Sequence, residues 1–346
     1  MHAARAAPRS VAFDYAVGLC CVWVSGGFFL DAWAHGHVPV ESFFTPYHAA
    51  FYSGMLVLML VIGGFAALNH RRGYAWRDAL PRPYRVAIVG VPIFLGAAIG
   101  DLAWHRLLGL EEGVTALLSP PHQFIGLGIF FLASGPMRSV LADRARSTTL
   151  RLQMPLALGM ATWLLLAHFG TAFALDPAAG RVDAPPAIAP FTPDYFVALG
   201  IGYYKISIGM LIVIFQSALV SGFALWLVSR IAPAAGMLTI AYVLGSIPPA
   251  AAFTNLSHLL ALTSAQALLT GIVADAFVAR WDPRPDRLAA FRTFAAVVPM
   301  TFMGVYLLGT ALWGGTWWDW NVALGAWIWS GIIGYAMSLL ASARRA

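Results

Sequence analysis

The chain has 346 residues, 60% of them hydrophobic and 10% charged, with a mean hydropathy of +0.75 and a formal net charge of +6. So apolar a composition excludes a soluble globular domain. The apolar residues run in stretches of about 20, the length that crosses a bilayer, which points to an all-α polytopic integral membrane protein rather than a β-barrel of short alternating strands.

After a short N-terminal tail, residues 1–12, ten spans fit in order: 13–33, 47–68, 84–104, 121–141, 153–175, 198–229, 234–254, 258–279, 289–312 and 321–342. The first four (13–141) form one membrane unit and the last six (153–342) another, of unknown role. The sixth is too long for a single straight span, so its outer end is expected along the interface. Cys20 and Cys21 are neighbours inside the first span, where a structural disulfide is not expected.

Orientation follows from arginine. Twenty Arg accompany the single Lys205, and all but Arg106 and Arg181 fall on one side of the alternating spans. The positive-inside rule places that side, with both termini, in the cytoplasm, so the basic pI reflects topology and not nucleic-acid binding. Of nine histidines only His2 and His70 share the arginine side; His35, His37, His48, His105, His122, His168 and His258 map to outer span ends or loops. Ionisable groups near lipid are costly, and they normally pair or bind ions.

Two of these outer stretches repeat a pattern. The first reads Asp31-x3-His35, Glu41, then Thr45-Pro46-x-His48; the second reads Asp101-x3-His105, Glu111-Glu112, then Ser119-Pro120-x-His122. Each lies where one span ends and the next begins. The i,i+4 spacing puts each Asp and His on one helix face. Each hydroxyl-Pro pair is a helix start, an N-cap followed by proline at the first helical position. The following His then sits in the first turn, pointing back toward the preceding helix end. Each turn can thus offer one carboxylate and two imidazoles to one point, a ligand set that suits copper, zinc or iron. Without a metal, the same residues would form a hydrogen-bonded polar layer closing four helix ends.

The stretch Asp31-x3-His35-x12-His48 with Phe44-Thr45-Pro46, followed by Asp101-x3-His105, Glu111-Glu112 and Pro120-x-His122, resembles the C subunit of the copper membrane monooxygenases. These are the particulate methane and ammonia monooxygenases, and the likeness covers about residues 20–140. It implies a copper site at Asp31, His35 and His48 and a neighbouring one at Asp101, His105 and His122. It further implies dioxygen as oxidant, a small apolar substrate drawn from lipid, an external electron donor such as quinol, and partner subunits including a soluble copper domain. The setting would be a bacterial-type plasma (inner) membrane, with the metal site toward the outer face. Asp101 stands where the family has Asn, the His105-to-His122 gap is longer, and His37 and Glu41 are additional ligand candidates. These departures leave iron and zinc open as alternatives.

Glu41, Glu111 and Glu112 are the candidates for proton transfer. His37, His168 and His258 are possible additional ligands, although His168 and His258 could equally serve to satisfy helix ends. Thr192-Pro193 with Tyr195 in the histidine position reads as a plain helix start, and Trp313, Trp317, Trp318 and Trp320 as an aromatic belt at the interface. Ala32-Trp33-Ala34 could also end a cleaved secretory signal, which would discard Asp31 and leave His35 as a new N-terminus. The favoured function is a copper-dependent monooxygenase-like oxidoreductase. The alternatives are a non-catalytic copper-binding or copper-handling subunit, and a zinc-dependent membrane hydrolase.

Overall fold

The computed structural model describes residues 6–38, 44–109, 119–170, 192–253, 257–314, 316 and 318–342, and these are helical with no strand among them. In chain order the helices are α1 (Val11–His37), α2 (Pro46–Arg71), the single turn α3 (Tyr84–Ala87) leading into α4 (Gly90–Leu108), α5 (Pro120–Ala142), α6 (Leu150–Gly170), α7 (Pro193–Val228), α8 (Met237–Phe253), α9 (Ser257–Trp281), α10 (Leu288–Gly309) and α11 (Trp320–Ser342). Among the described residues nine helices are long and apolar enough to cross a membrane, and Met237–Ala252 is a shorter apolar helix. The chain is a multi-pass helical membrane protein. The 36 residues of α7 form one unbroken helix of about 54 Å, well beyond the roughly 30 Å of a hydrocarbon core.

The chain divides into two compact units, residues 1–172 with 240–253, and residues 173–239 with 254–346. In the first, α1 packs on α2, α5 and α6, while α4 packs on α5 and α5 on α6. In the second, α10 packs on α7, α9 and α11, and α7 on α11.

Lipid tails are as apolar as leucine, so apolar burial alone does not drive helices together in a bilayer; close van der Waals packing and interhelical hydrogen bonds do. Both are present in the first unit. A Cβ at Gly27 would lie 2.7 Å from the Cα of Phe51, so glycine is what lets α1 and α2 touch backbone to backbone. Gly128 does the same for α5 and α4, since a Cβ there would lie 2.9 Å from the Phe94 backbone nitrogen. These contacts hold together the two helix pairs that carry the repeated motif.

A network of hydrogen bonds lies at the opposite end of α1 and α5. Asp14, completely buried in the first turn of α1, accepts from Arg9 Nε at 2.9 Å, Tyr84 Oη at 2.8 Å and Ser139 Oγ at 2.8 Å. Arg9 also donates to Asp143 at 3.0 Å and Ser147 at 3.1 Å. One carboxylate thereby ties the beginnings of α1 and α3 to the end of α5. Cys20 and Cys21 are buried free thiols.

Candidate metal centre

The first motif is built by the end of α1 and the start of α2. Asp31 and His35 occupy successive turns of α1, with His35 Nε2 3.6 Å from Asp31 Oδ2. The helix stops at Val38, which is extended and precedes Pro39. Thr45 caps α2: its hydroxyl accepts the His48 backbone N–H at 3.1 Å and also lies 3.1 Å from His48 Nδ1. His48 is thereby aimed back at α1, with Nδ1 3.3 Å from Asp31 Oδ1.

The second motif repeats this on α4 and α5 with one difference. His105 Nε2 and His122 Nε2 lie 3.4 and 3.5 Å from the same oxygen, Asp101 Oδ1. Gly109, with a φ of +87° that glycine adopts readily, ends α4, and its carbonyl lies 3.4 Å from His105 Nδ1. Ser119 stands at the N-cap of α5 but makes no cap bond; its hydroxyl instead meets His122 Nδ1 at 2.7 Å. In both His105 and His122 the outward ring nitrogen meets an oxygen of the protein while Nε2 faces the carboxylate. This is the arrangement by which proteins orient metal-binding imidazoles.

The structure then does what neither turn does by itself: it merges them. Asp31, His35 and His48 form one group whose possible ligand atoms all lie within 4.8 Å of one another, and His48, Asp101 and His105 form a second. His48 belongs to both. The His35 and His105 rings are 6.3 Å apart and near-parallel, and those of His48 and His105 are 6.4 Å apart. Tetrahedral bonds of 2.0–2.1 Å place ligand atoms about 3.4 Å apart, so each group would close by roughly an ångström around an ion.

Electrostatics favour such an ion. Asp31 and Asp101 are 4% and 1% exposed, and among the described residues neither pairs with an arginine or lysine. Two buried carboxylates with imidazoles as their ion-pair partners carry charge that a medium of low polarity tolerates only when it is compensated. The floor beneath them is aromatic, with Phe28, Phe51 and Phe94 packed in sequence at 5.3 and 5.6 Å. His35 Nε2 and Asp101 Oδ1 are buried without a hydrogen bond among the described residues. Imidazole and carboxylate together suit first-row transition metals and zinc, so the residues fit a metal.

Tyr52, one turn after His48, was not evident from the sequence motif. Its ring lies parallel to His48 at 6.0 Å, and its hydroxyl points to Asp101 Oδ2 at 3.4 Å, linking the two motifs. The sole sequence signal was an aromatic hydroxyl on the same helix face as His48. Of the other candidates, His37 is exposed, with Nδ1 2.8 Å from the Trp33 carbonyl and its ring against the Trp33 indole. His168 is buried with Nδ1 2.9 Å from the Gly245 carbonyl, and neither histidine joins either group. Glu41, Glu111 and Glu112 lie outside the described residues, as does the side chain of His258. Thr192 caps α7 by accepting from the Tyr195 N–H, a plain helix start. The chain matches no family model, no curated protein and no solved structure.

Proposed function

We propose that this chain is a membrane-embedded metal protein, with copper as its metal and oxidation of a small apolar substrate as its activity. The observation that supports it best is that Asp31, His35 and His48 of the first turn and Asp101 and His105 of the second form two buried groups that share His48, with His122 3.5 Å from Asp101. Asp31 and Asp101 would hold the charge of the metal, His35, His48, His105 and His122 would ligate it, and Tyr52 would orient Asp101. Thr45 and Ser119 would hold the two first-turn imidazoles in place. Copper bound there would supply the activation of dioxygen, with electrons from a donor outside the chain, quinol being the class that the monooxygenase resemblance implies. Glu41, Glu111 and Glu112 remain the proposed proton carriers, and a soluble copper domain would have to come from a partner subunit.

The apolar substrate is supported by a groove of about 420 Å³ on the flank of α4 and α5, lined by Ile93, Gly96, Gly100, Trp104, Pro121 and Phe124 among others. Gly100, Trp104 and Pro121 are the chain neighbours of Asp101, His105 and His122, so the groove backs directly onto the second motif. The proposed setting is a bacterial-type plasma membrane with the cluster toward the outer face, as the arginine distribution implies.

Asp101, a carboxylate where the resembled family has Asn, favours a harder metal and keeps a second reading in play: a zinc site and hydrolytic chemistry. A non-catalytic copper-binding subunit is the third. Elemental analysis of the purified protein, with a dioxygen-dependent assay on a short alkane, separates them. Copper together with product that disappears in His48→Ala and His122→Ala supports the proposal. Zinc without oxidation, copper without turnover, or a metal-free protein whose polar layer simply closes the helix ends each overturns it.

A further inference from the structure

The second unit contains a pocket of about 460 Å³ between the end of α10 and the start of α11. Its walls include Leu308, Trp318, Asp319, Trp320, Leu324 and Trp327. The sequence places this tryptophan run in an interfacial aromatic belt, where rings face lipid and their N–H groups face water. Trp320, 83% exposed, fits that description. Trp318 does not: it is 5% exposed, and its indole N–H is buried with no acceptor among the described residues.

A buried N–H without an acceptor is uncommon and costly, and where it lines a pocket the missing partner can be a ligand atom. Such a ligand must accept a hydrogen bond. It should also be neutral. Asp319, whose Oδ1 accepts the Val322 N–H at 2.8 Å as the cap of α11, keeps its charge and disfavours an anionic head, while the Trp318 N–H is a donor and offers nothing to a cation. Trp327 is satisfied through the Met300 carbonyl at 3.0 Å and presents its ring. Leu308 and Leu324, 60% and 51% exposed, form an apolar rim open to lipid.

We propose that this pocket binds the head of a neutral apolar amphiphile through a carbonyl oxygen that accepts the Trp318 N–H, with the tail leaving over Leu308 and Leu324. Two sources carry that chemistry: the ring carbonyl of an isoprenoid quinone and the ester carbonyl of a membrane lipid. Flat indole walls suit the first, and the open apolar rim suits either.

The test uses the full chain in maltoside micelles, with decylubiquinone and dioleoylphosphatidylethanolamine as probes. Binding is followed by ligand-dependent thermal shift and by native mass spectrometry. Trp318→Phe removes the N–H while keeping an aromatic ring, and Ala323→Leu fills the pocket while keeping the Trp318 N–H. Both variants should weaken retention of one probe by about tenfold, the worth of a hydrogen bond at the upper end of the neutral range. Loss confined to decylubiquinone identifies a quinone site, and loss confined to the phospholipid identifies an ester-lipid site. Size-exclusion behaviour and helical circular dichroism of both variants without probe should match wild type, which separates lost binding from lost fold. Equal retention of both probes by wild type and variants, or no retention by wild type, overturns the proposal. Metal content reports on the other unit and should be unchanged in both variants, so this result stands apart from the copper reading.

Discussion

Replacing His48 with alanine removes the one side chain common to both groups of the candidate metal centre. Asp31 and His35 remain on one side, and Asp101 and His105, with His122 3.5 Å from Asp101, on the other. A four-ligand structural zinc site binds with about 10–16 kcal/mol, or about 3–4 kcal/mol per ligand, so each lost imidazole should weaken an ion roughly 100- to 1,000-fold. With one ion in each group, His35→Ala and His105→Ala should each retain one metal equivalent after dialysis against a moderate chelator, and His48→Ala should retain neither. Metal content by mass spectrometry of the digested protein, combined with a chelator titration, reads this directly. Size-exclusion behaviour and helical circular dichroism would confirm that His48→Ala still folds, as expected for a residue at a helix start. A wild-type chelator midpoint in His48→Ala would refute the shared-ligand geometry. Complete loss in all three variants would refute one ion in each group and would mean a single ion held by both groups together.

Thr45→Val should cost about 1 kcal/mol of stability through the lost cap, and about 10- to 100-fold in metal affinity through the released His48 ring. Ser119→Ala, where no cap bond exists, should show the affinity loss with a smaller change in unfolding temperature; the paired measurement tests whether the two hydroxyls differ as described. Gly27→Ala should force α1 from α2, costing about 1–3 kcal/mol and lowering metal retention, because Asp31 and His48 sit on the separated helices. Asp14→Ala should leave the Tyr84 and Ser139 hydroxyls without their acceptor while Arg9 keeps Asp143, and should cost about 1–3 kcal/mol for each orphaned hydroxyl in thermal unfolding, with unchanged metal affinity in the folded fraction. Lowering the pH should weaken metal retention, because protons compete with the metal for each imidazole nitrogen; an apparent metal affinity independent of pH would argue against histidine ligation.

Much of the first unit was legible because its signals are local. Asp31 with His35, and Asp101 with His105, share a face by helix geometry alone. Thr45 and Ser119 mark helix starts by residue type, although only Thr45 caps through its side chain. Trp318 is buried while Trp320 is exposed, and residue type near a span end cannot show which tryptophan is turned inward. The role of Asp14 is not legible in its local sequence, because its three partners come from α3, α5 and the N-terminal tail, up to 125 residues away.

Composition, run length and the spacing of the repeated turn thus determined the helical membrane architecture and the two sets of metal-capable groups. Hydropathy acts over one helix, and capping acts over one turn. Tertiary structure alone decided that the two sets form one cluster, that His48 belongs to both, and that Tyr52 reaches Asp101 across 49 residues. Those relations depend on how closely helices approach, set by contacts such as Gly27 against Phe51 and Gly128 against Phe94, and no local pattern in the chain encodes that distance.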